Sequence, residues 1–279
     1  MLRIAVPNKG MLAQTANAML IEAGYRGRRN DRELVALDPE NEVEFFYIRP
    51  RDIATYVGEG VLDIGITGRD MLLDSQSKAH EVRALDFGDS TFRFAARPGA
   101  FNTVSDLEGK RIATSYTGLL ARYFEDAGIS AELIKLDGAV ESAIQLGVAD
   151  AVADVVSTGN TLRQAGLEIF GPVILDSTAI LISTPEKVDA AATLIKRLEG
   201  VLVAQKYSIM DYDIPADRLD AAIALTPGFQ SPTVSQLHDK EWCAVRSLVP
   251  IRDLNRVMDD LSGVGARAIL VTALQAARM

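Results

Sequence analysis

Over the first two-thirds of the chain, short apolar runs of strand length alternate with stretches of helical spacing. That alternation constrains the fold more than any other feature. Leu2–Val6 reads as a strand and Gly10–Ala23 as a helix. Val43–Ile48, Ile53–Gly58 and Asp63–Thr67 repeat strand, helix and strand, the last running into Gly68-Arg69-Asp70. After the strand-like Phe92–Ala96 a second series begins, with strands at Lys110–Ser115, Ala131–Leu136 and Ala151–Val156 and helices at Leu119–Ala127 and Ala139–Leu146. Alternation of this kind predicts an α/β fold with parallel-rich sheets covered by helices. Two successive series predict two lobes with a ligand cleft between them, one doubly wound domain being the alternative.

The stretch that speaks most directly of chemistry is AVADVVSTGNTL, Ala151 to Leu162. An apolar strand interrupted only by Asp154 breaks into Ser157-Thr158-Gly159-Asn160-Thr161, and helical spacing resumes at Leu162. Such a turn leaves backbone N–H groups unpaired and aimed at one point, with a helix dipole behind them, which is an anion site. Gly159 admits close approach of a ligand, and Thr158 and Thr161 add hydroxyl donors. Asp154 repels a phosphate, so its place is explained if the phosphate belongs to a sugar whose hydroxyls the carboxylate accepts; phosphoribose fits. The Gly-Lys-Ser/Thr ending of a P-loop is absent. The bland reading is a strand, a polar turn and a helix cap with no ligand.

Composition narrows the classes. The 279 residues are 48% hydrophobic and 24% charged, with a formal net charge of −9. That balance fits a globular protein and argues against non-specific nucleic-acid binding, which needs a basic footprint. No stretch reaches the length of a membrane span, and MLRIAVPNKG meets Pro, Lys and Gly too early for a signal peptide, so a cytoplasmic address is expected. Cys243 is the single cysteine, and only His80 and His238 are histidines. An internal disulfide is excluded and a zinc cluster disfavoured, leaving carboxylates, Lys/Arg and backbone donors to carry any chemistry. The last seventy or so residues change character. Strands at Lys206–Tyr212, Thr233–Leu237, Cys243–Val249 and Ala266–Thr272 with helices at Pro215–Ala224 and Ile251–Gly263 give the βαββαβ order of a ferredoxin-like domain.

From Glu141 the sequence runs ESAIQLGVADAVADVVSTGNTL, and Glu141, Gly147, Ala149, Val152, Asp154, Val155, Thr158, Gly159, Thr161 and Leu162 fall where the ATP phosphoribosyltransferase family has its signature. LRIAVPNKG, DIGITGRD and the C-terminal segment extend the likeness along essentially the whole chain, which resembles the long form of that family. Phosphoribosyltransferases of the commonest fold bind their pyrophosphorylated sugar with a loop of this spacing after two adjacent acids; here the first acid position is Ala153. The strand–helix pattern also resembles type II periplasmic solute-binding proteins, with hinge strands crossing between lobes. The expected division is a first lobe of residues 1–90 and 184–205, with a return helix at Lys187–Gly200, a second lobe of 91–183 and a regulatory domain of 206–279.

The resemblance implies the first step of histidine biosynthesis, in which ring nitrogen N1 of ATP attacks phosphoribosyl pyrophosphate to give phosphoribosyl-ATP and pyrophosphate. It implies phosphoribosyl pyrophosphate on Asp154, Val155, Val156, Ser157, Thr158, Gly159, Asn160 and Thr161. Nucleotide is implied on Lys9, Gly10, Arg49, Asp70, Asp86 and Ser90, and catalytic roles for Asp154, Arg49 and Lys9. As bare residues several stay open: Lys9 holds a phosphate or is exposed in a PNKG turn, and Arg49 clamps pyrophosphate or pairs with Asp52 or Glu44. Asp70 caps a helix or contacts adenine or magnesium. Magnesium is expected on substrate oxygens and water without a dedicated cage. The resemblance further implies feedback by histidine bound at Asp213, Ser231, Thr233 and Ala268, and a homo-oligomer of dimers building a hexamer. The competing reading is a non-catalytic cytoplasmic solute sensor of the same fold.

Overall fold

The computed structural model describes residues 1–28, 30 and 32–278. They form two compact units, Met1–Ile21 with Tyr25–Ala192, and Glu22–Gly24 with Thr193–Met279. The larger unit opens with β1 (Leu2–Pro7), α1 (Met11–Glu22), the hairpin β2 (Val35–Asp38) and β3 (Val43–Ile48), α2 (Pro50–Gly58), β4 (Ile64–Gly68), α3 (Arg69–Ser75) and β5 (His80–Ala84). A second lobe follows with β6 (Ser90–Ala96), β7 (Arg111–Thr114), α4 (Thr117–Ala127), β8 (Glu132–Lys135), α5 (Ser142–Gln145), β9 (Ala151–Val156), α6 (Asn160–Gln164) and β10 (Glu168–Ser177). The chain then returns to the first sheet as β11 (Ala179–Ser183).

The first sheet has the order β2-β3-β1-β4-β11-β5 and the second β10-β6-β9-β7-β8. Each has a parallel core, β3-β1-β4 in one and β9-β7-β8 in the other, flanked by antiparallel strands. The core strands read as near-continuous apolar runs because they are covered on both faces: β4 is buried throughout, and Ile4 to Pro7 of β1 likewise. The two-lobed α/β arrangement expected from the alternation is therefore present. The chain crosses between sheets twice, at residues 85–89 and at Thr178. The crossings are bonded together, Leu85 N donating to Ala179 O (2.9 Å) and Ala179 N to Phe87 O (2.8 Å).

Some expected boundaries move for local reasons. The helix read from Ala139 begins only at Ser142, because Gly138 (φ 152) and Ala139 (φ 49) hold backbone angles that no helix contains. β2, β5 and β10 carry no clear strand pattern in the sequence and complete the sheets as antiparallel neighbours.

The smaller unit contains α7 (Ala192–Lys206), β12 (Tyr207–Pro215), α8 (Leu219–Leu225), β13 (Thr233–Gln236), β14 (Trp242–Pro250), α9 (Leu254–Gly263) and β15 (Arg267–Ala273). Its antiparallel sheet has the order β13-β14-β12-β15. With α8 and α9 contributing to the core against Met210, Tyr212, Val245 and Val249, this is the expected ferredoxin-like fold.

Candidate active site

A cleft of about 610 Å³ opens within the larger unit, and both lobes line it. Lys9 and Gly10 reach it from the end of β1, Gly68 and Asp70 from the end of β4, and Val155 and Ser157 from the end of β9. These are the carboxyl ends of parallel strands, where α/β sheets place their ligands. The crossings add Ser90, Ser177 and Thr178, and Tyr116 contributes an aromatic wall. A neighbouring recess shares Ser90, Ser157, Ser177 and Thr178 and adds Arg69, Asp89, Val156 and Asp176.

The turn from β4 into α3 is tight. Gly68 occupies the position before the helix, and a Cβ there would lie 2.3 Å from Asp70 Oδ1, so no larger residue fits without moving the carboxylate. Asp70 is the second residue of α3 and caps nothing; it is buried, at 4% exposure. Its Oδ1 accepts from the Ser177 hydroxyl (2.7 Å), and its own N–H donates to the same Ser177 oxygen (3.1 Å). Tyr116 lies near enough for the Asp70 charge to act on its phenol. Burial, and then the neighbouring Asp70 charge, push the Tyr116 phenol far above its ordinary value, so it stays a proton donor.

The turn from β9 into α6 is built the opposite way. Ser157, Thr158, Asn160 and Thr161 are exposed, and Gly159 takes a left-handed φ of 71°. Arg163 braces the loop from behind, its Nη2 donating to Thr158 O (2.9 Å) and to Asn160 Oδ1. Asp154, half-buried one turn upstream, accepts from the Val155 N–H (2.8 Å). Burial is the main cause that raises its carboxyl above the usual range, the Val155 bond opposing it. Glu141 and Asp70 add to the rise and Arg51 counters it. Glu141 makes no capping bond at α5 and instead lends its charge to this cluster.

Of the residues singled out in the sequence, Lys9, Gly10, Asp70, Ser90, Val155 and Ser157 come together in this cleft, with Val156 in the adjoining recess. Thr158, Gly159, Asn160 and Thr161 continue the loop at its exposed edge. Arg49, Asp86 and Asp154 are not among the cleft-lining residues, Asp154 sitting next in the chain to Val155, which is. Arg49 is exposed just before α2, and Glu44, one partner foreseen for it, pairs with Arg3. Asp86 is exposed on the crossing turn with a φ of 56°. Tyr116, Ser177, Thr178 and Arg69 went unread in the sequence as site residues. Ser177 ends a strand that the sequence pattern hid, Thr178 is the crossing residue after it, and Tyr116 is a lone aromatic in a Ser-Tyr-Thr-Gly turn.

In the smaller unit, Asp213 lies on β12 opposite Ala244 and Arg267. The register slips between Asp211 and Asp213, and Ala268 in that bulge has a φ of 48°. Ser231 and Thr233 stand at the start of β13, on the other edge of the sheet, with β14 and β12 between them and β15. Within one chain the four effector candidates thus form two pairs rather than one pocket. Among the described residues no three His, Cys, Asp or Glu side chains converge to hold a metal ion, and no helix is long and apolar enough to cross a membrane.

Comparison with known proteins agrees with this geometry. The family profile described as ATP phosphoribosyltransferase matches residues 49–202, and the HisG C-terminal domain profile matches 204–276. An ATP phosphoribosyltransferase of Paenarthrobacter aurescens is 58% identical over the full length of both chains, and one of Micrococcus luteus is likewise 58% identical over both. Among solved structures, the HisG:HisZ ATP phosphoribosyl transferase complex of Thermotoga maritima aligns with a TM-score of 0.64 at 28% identity, covering 72% of this chain and 98% of that one. A cleft at strand ends, a donor-bearing turn beside a buried carboxylate and full-length likeness coincide, and the chain belongs to the ATP phosphoribosyltransferase family, the transferases that open histidine biosynthesis.

Proposed function

We propose that phosphoribosyl pyrophosphate binds on the turn after β9 and that ATP enters from the side of β1 and β4. The observation that carries this assignment is the pairing of an exposed, donor-rich turn with the half-buried Asp154. The loop amides and the hydroxyls of Ser157, Thr158 and Thr161 take the 5′-phosphate, Gly159 letting the backbone approach it. Asp154, ionised, accepts the ribose hydroxyls. No protein nucleophile is required, since ring nitrogen N1 of ATP attacks the anomeric carbon and pyrophosphate departs. The protein holds the reactants in line and stabilises the leaving group, with Lys9 and Arg49 supplying positive charge. Asp70, with Ser90, faces the nucleotide in this assignment, while Asp86 stands outside the cleft lining.

The donor set suits magnesium carried in on pyrophosphate oxygens. Asp70 lines the cleft, and among the described residues no three carboxylate, His or Cys side chains converge, which fits an ion that keeps water and substrate as most of its shell. Such an ion would neutralise the departing charge. Residues 206–279 serve as the histidine-sensing part, beside a first lobe of 1–90 with 184–205 and a second of 91–183. Because Ala268 lies on the edge strand β15 and Asp213 beside it on β12, while Ser231 and Thr233 lie at the opposite edge, one complete effector site draws on two copies, in keeping with a homo-oligomer of dimers up to a hexamer. The cytoplasm is the proposed location.

The test is product formation from ATP and phosphoribosyl pyrophosphate with magnesium, coupled to pyrophosphatase, with and without histidine. Turnover suppressed by histidine supports both halves of the assignment. Turnover indifferent to histidine removes the effector role, and ligand binding without turnover returns the chain to a sensor.

A further inference from the structure

Arg51 projects from α2, and the roles above leave it without a task. Its Nη1 donates to the Ser115 carbonyl (2.8 Å) and pairs with Asp74 Oδ2 (3.3 Å), while its guanidinium carbon sits 4.1 Å over the Tyr116 ring. Ser115 and Tyr116 belong to the second lobe; Asp74, on α3, belongs to the first. The other Asp74 oxygen accepts from the N–H groups of Gly118 (2.8 Å) and Leu119 (3.1 Å) at the start of α4. A Cβ on Gly118 would lie 2.3 Å from the Asp74 carbonyl oxygen, so α3 and α4 meet backbone to backbone. An exposed ion pair alone does little. Here one planar guanidinium is held by a carbonyl, a ring and a carboxylate from both lobes, a use that a point charge serves poorly.

We propose that Arg51 is a positioning residue for the phosphoribosyl transfer: it ties α2 and α3 to the start of α4 across the lobes and holds the Tyr116 ring against Asp70 in the cleft wall. The proposal rests on the assignment of roles given above. Its electrostatic side concerns Asp154. That carboxylate is faced by Glu141 ahead of α5, Asp70 on α3, Tyr116 ahead of α4 and Arg51 on α2. Arg93 stands opposite it on β6, its Nη2 committed to Gly171 O (3.1 Å). Glu141 and Asp70 oppose ionisation of Asp154 and Arg51 favours it. Arg51 thus acts through two groups, a ring it stacks on and a carboxylate whose ionised form it favours.

The experiment compares wild type, Arg51→Met and Arg51→Lys by kcat/KM for phosphoribosyl pyrophosphate from pH 5.5 to 9.5, with thermal unfolding of each as a check on folding. For Arg51→Met the expected result is a loss of about tenfold or more at neutral pH. The acid limb should move to higher pH, so that the defect narrows as pH rises. Arg51→Lys keeps the charge and should restore the acid limb while recovering only part of kcat/KM. A folded Arg51→Met with an unmoved acid limb, or with a loss equal at every pH, overturns the proposal. Absence of turnover in the wild type would instead sink the transferase assignment, so the two failures are distinguishable.

Discussion

Both lobes run a strand into a polar turn and a short helix, yet one turn is satisfied from within and the other is left open. After β4, the Asp70 carboxylate is buried and accepts from the Ser177 hydroxyl, and Gly68 makes room for it. After β9, hydroxyls and amides face solvent, and the nearby carboxylate sits at a raised pKa with unlike company. The difference separates two uses of one motif. A turn whose polar groups find partners in the fold adds rigidity and a shaped wall. A turn whose donors are withheld from the fold keeps them for a ligand, at some expense to the unliganded protein.

Substitutions can break or sharpen that contrast. Asp154→Asn should cost about 100-fold or more in kcat/KM, since a charged acceptor to the sugar is lost. The same variant should be more heat-stable than wild type. Burial raises the Asp154 carboxyl in the folded chain above its unfolded value, so the native state holds the extra proton and wild-type stability falls as pH climbs through that window. The gap in Tm between variant and wild type should therefore widen from pH 4 to pH 8. An Asp154→Asn protein that is active, or less stable than wild type at every pH, would remove the open turn from the mechanism.

On the closed side, Gly68→Ala forces the Asp70 carboxylate out of place. A loss of about 2 kcal/mol in chemical denaturation is expected, with weaker nucleotide binding in calorimetry. Ser177→Ala is milder. It takes the hydroxyl partner from the Asp70 carboxylate and N–H without moving the backbone and should cost about 1–2 kcal/mol of stability, with a smaller effect on phosphoribosyl pyrophosphate affinity than on ATP affinity. Gly159→Ala is the smallest. A Cβ there meets only ordinary contacts, the nearest at 3.5 Å, so the cost is the left-handed φ alone, about 1 kcal/mol. It should appear as a fewfold loss of phosphoribosyl pyrophosphate affinity. If Gly68→Ala and Gly159→Ala proved equally harmful to folding, the two turns would not differ as described.

Much of this contrast was readable from the chain and part of it was not. The parallel core strands announce themselves because burial on both faces demands apolar runs, as in Ala151–Val156 and Ile64–Gly68. The turn after β9 is local chemistry, so its spacing carried the site. Strands on the antiparallel flanks are half-covered and chemically mixed: β5 reads HEVRA, and β10 carries Gly171-Pro172 at a break in its register. The partner of Asp70 lies 107 residues away, which no periodicity reveals. Two arginines, Arg49 and Arg51, bracket one proline and both are exposed; nothing local marks Arg51 as the one that bonds to the other lobe.

Ser177 is the last residue of β10, and the chain re-enters the first sheet one residue later. Its bond to Asp70 therefore spans the seam between lobes, and any rotation about the crossings that moved Ser177 would change what that carboxylate can offer a nucleotide. A ligand that favours one lobe angle and a ligand that favours one state of Asp70 then share a single free-energy term. By reciprocity each must alter the other's affinity by the same factor. Synergy between two substrates, in a protein built this way, is written into the hinge and needs no contact between the ligands themselves.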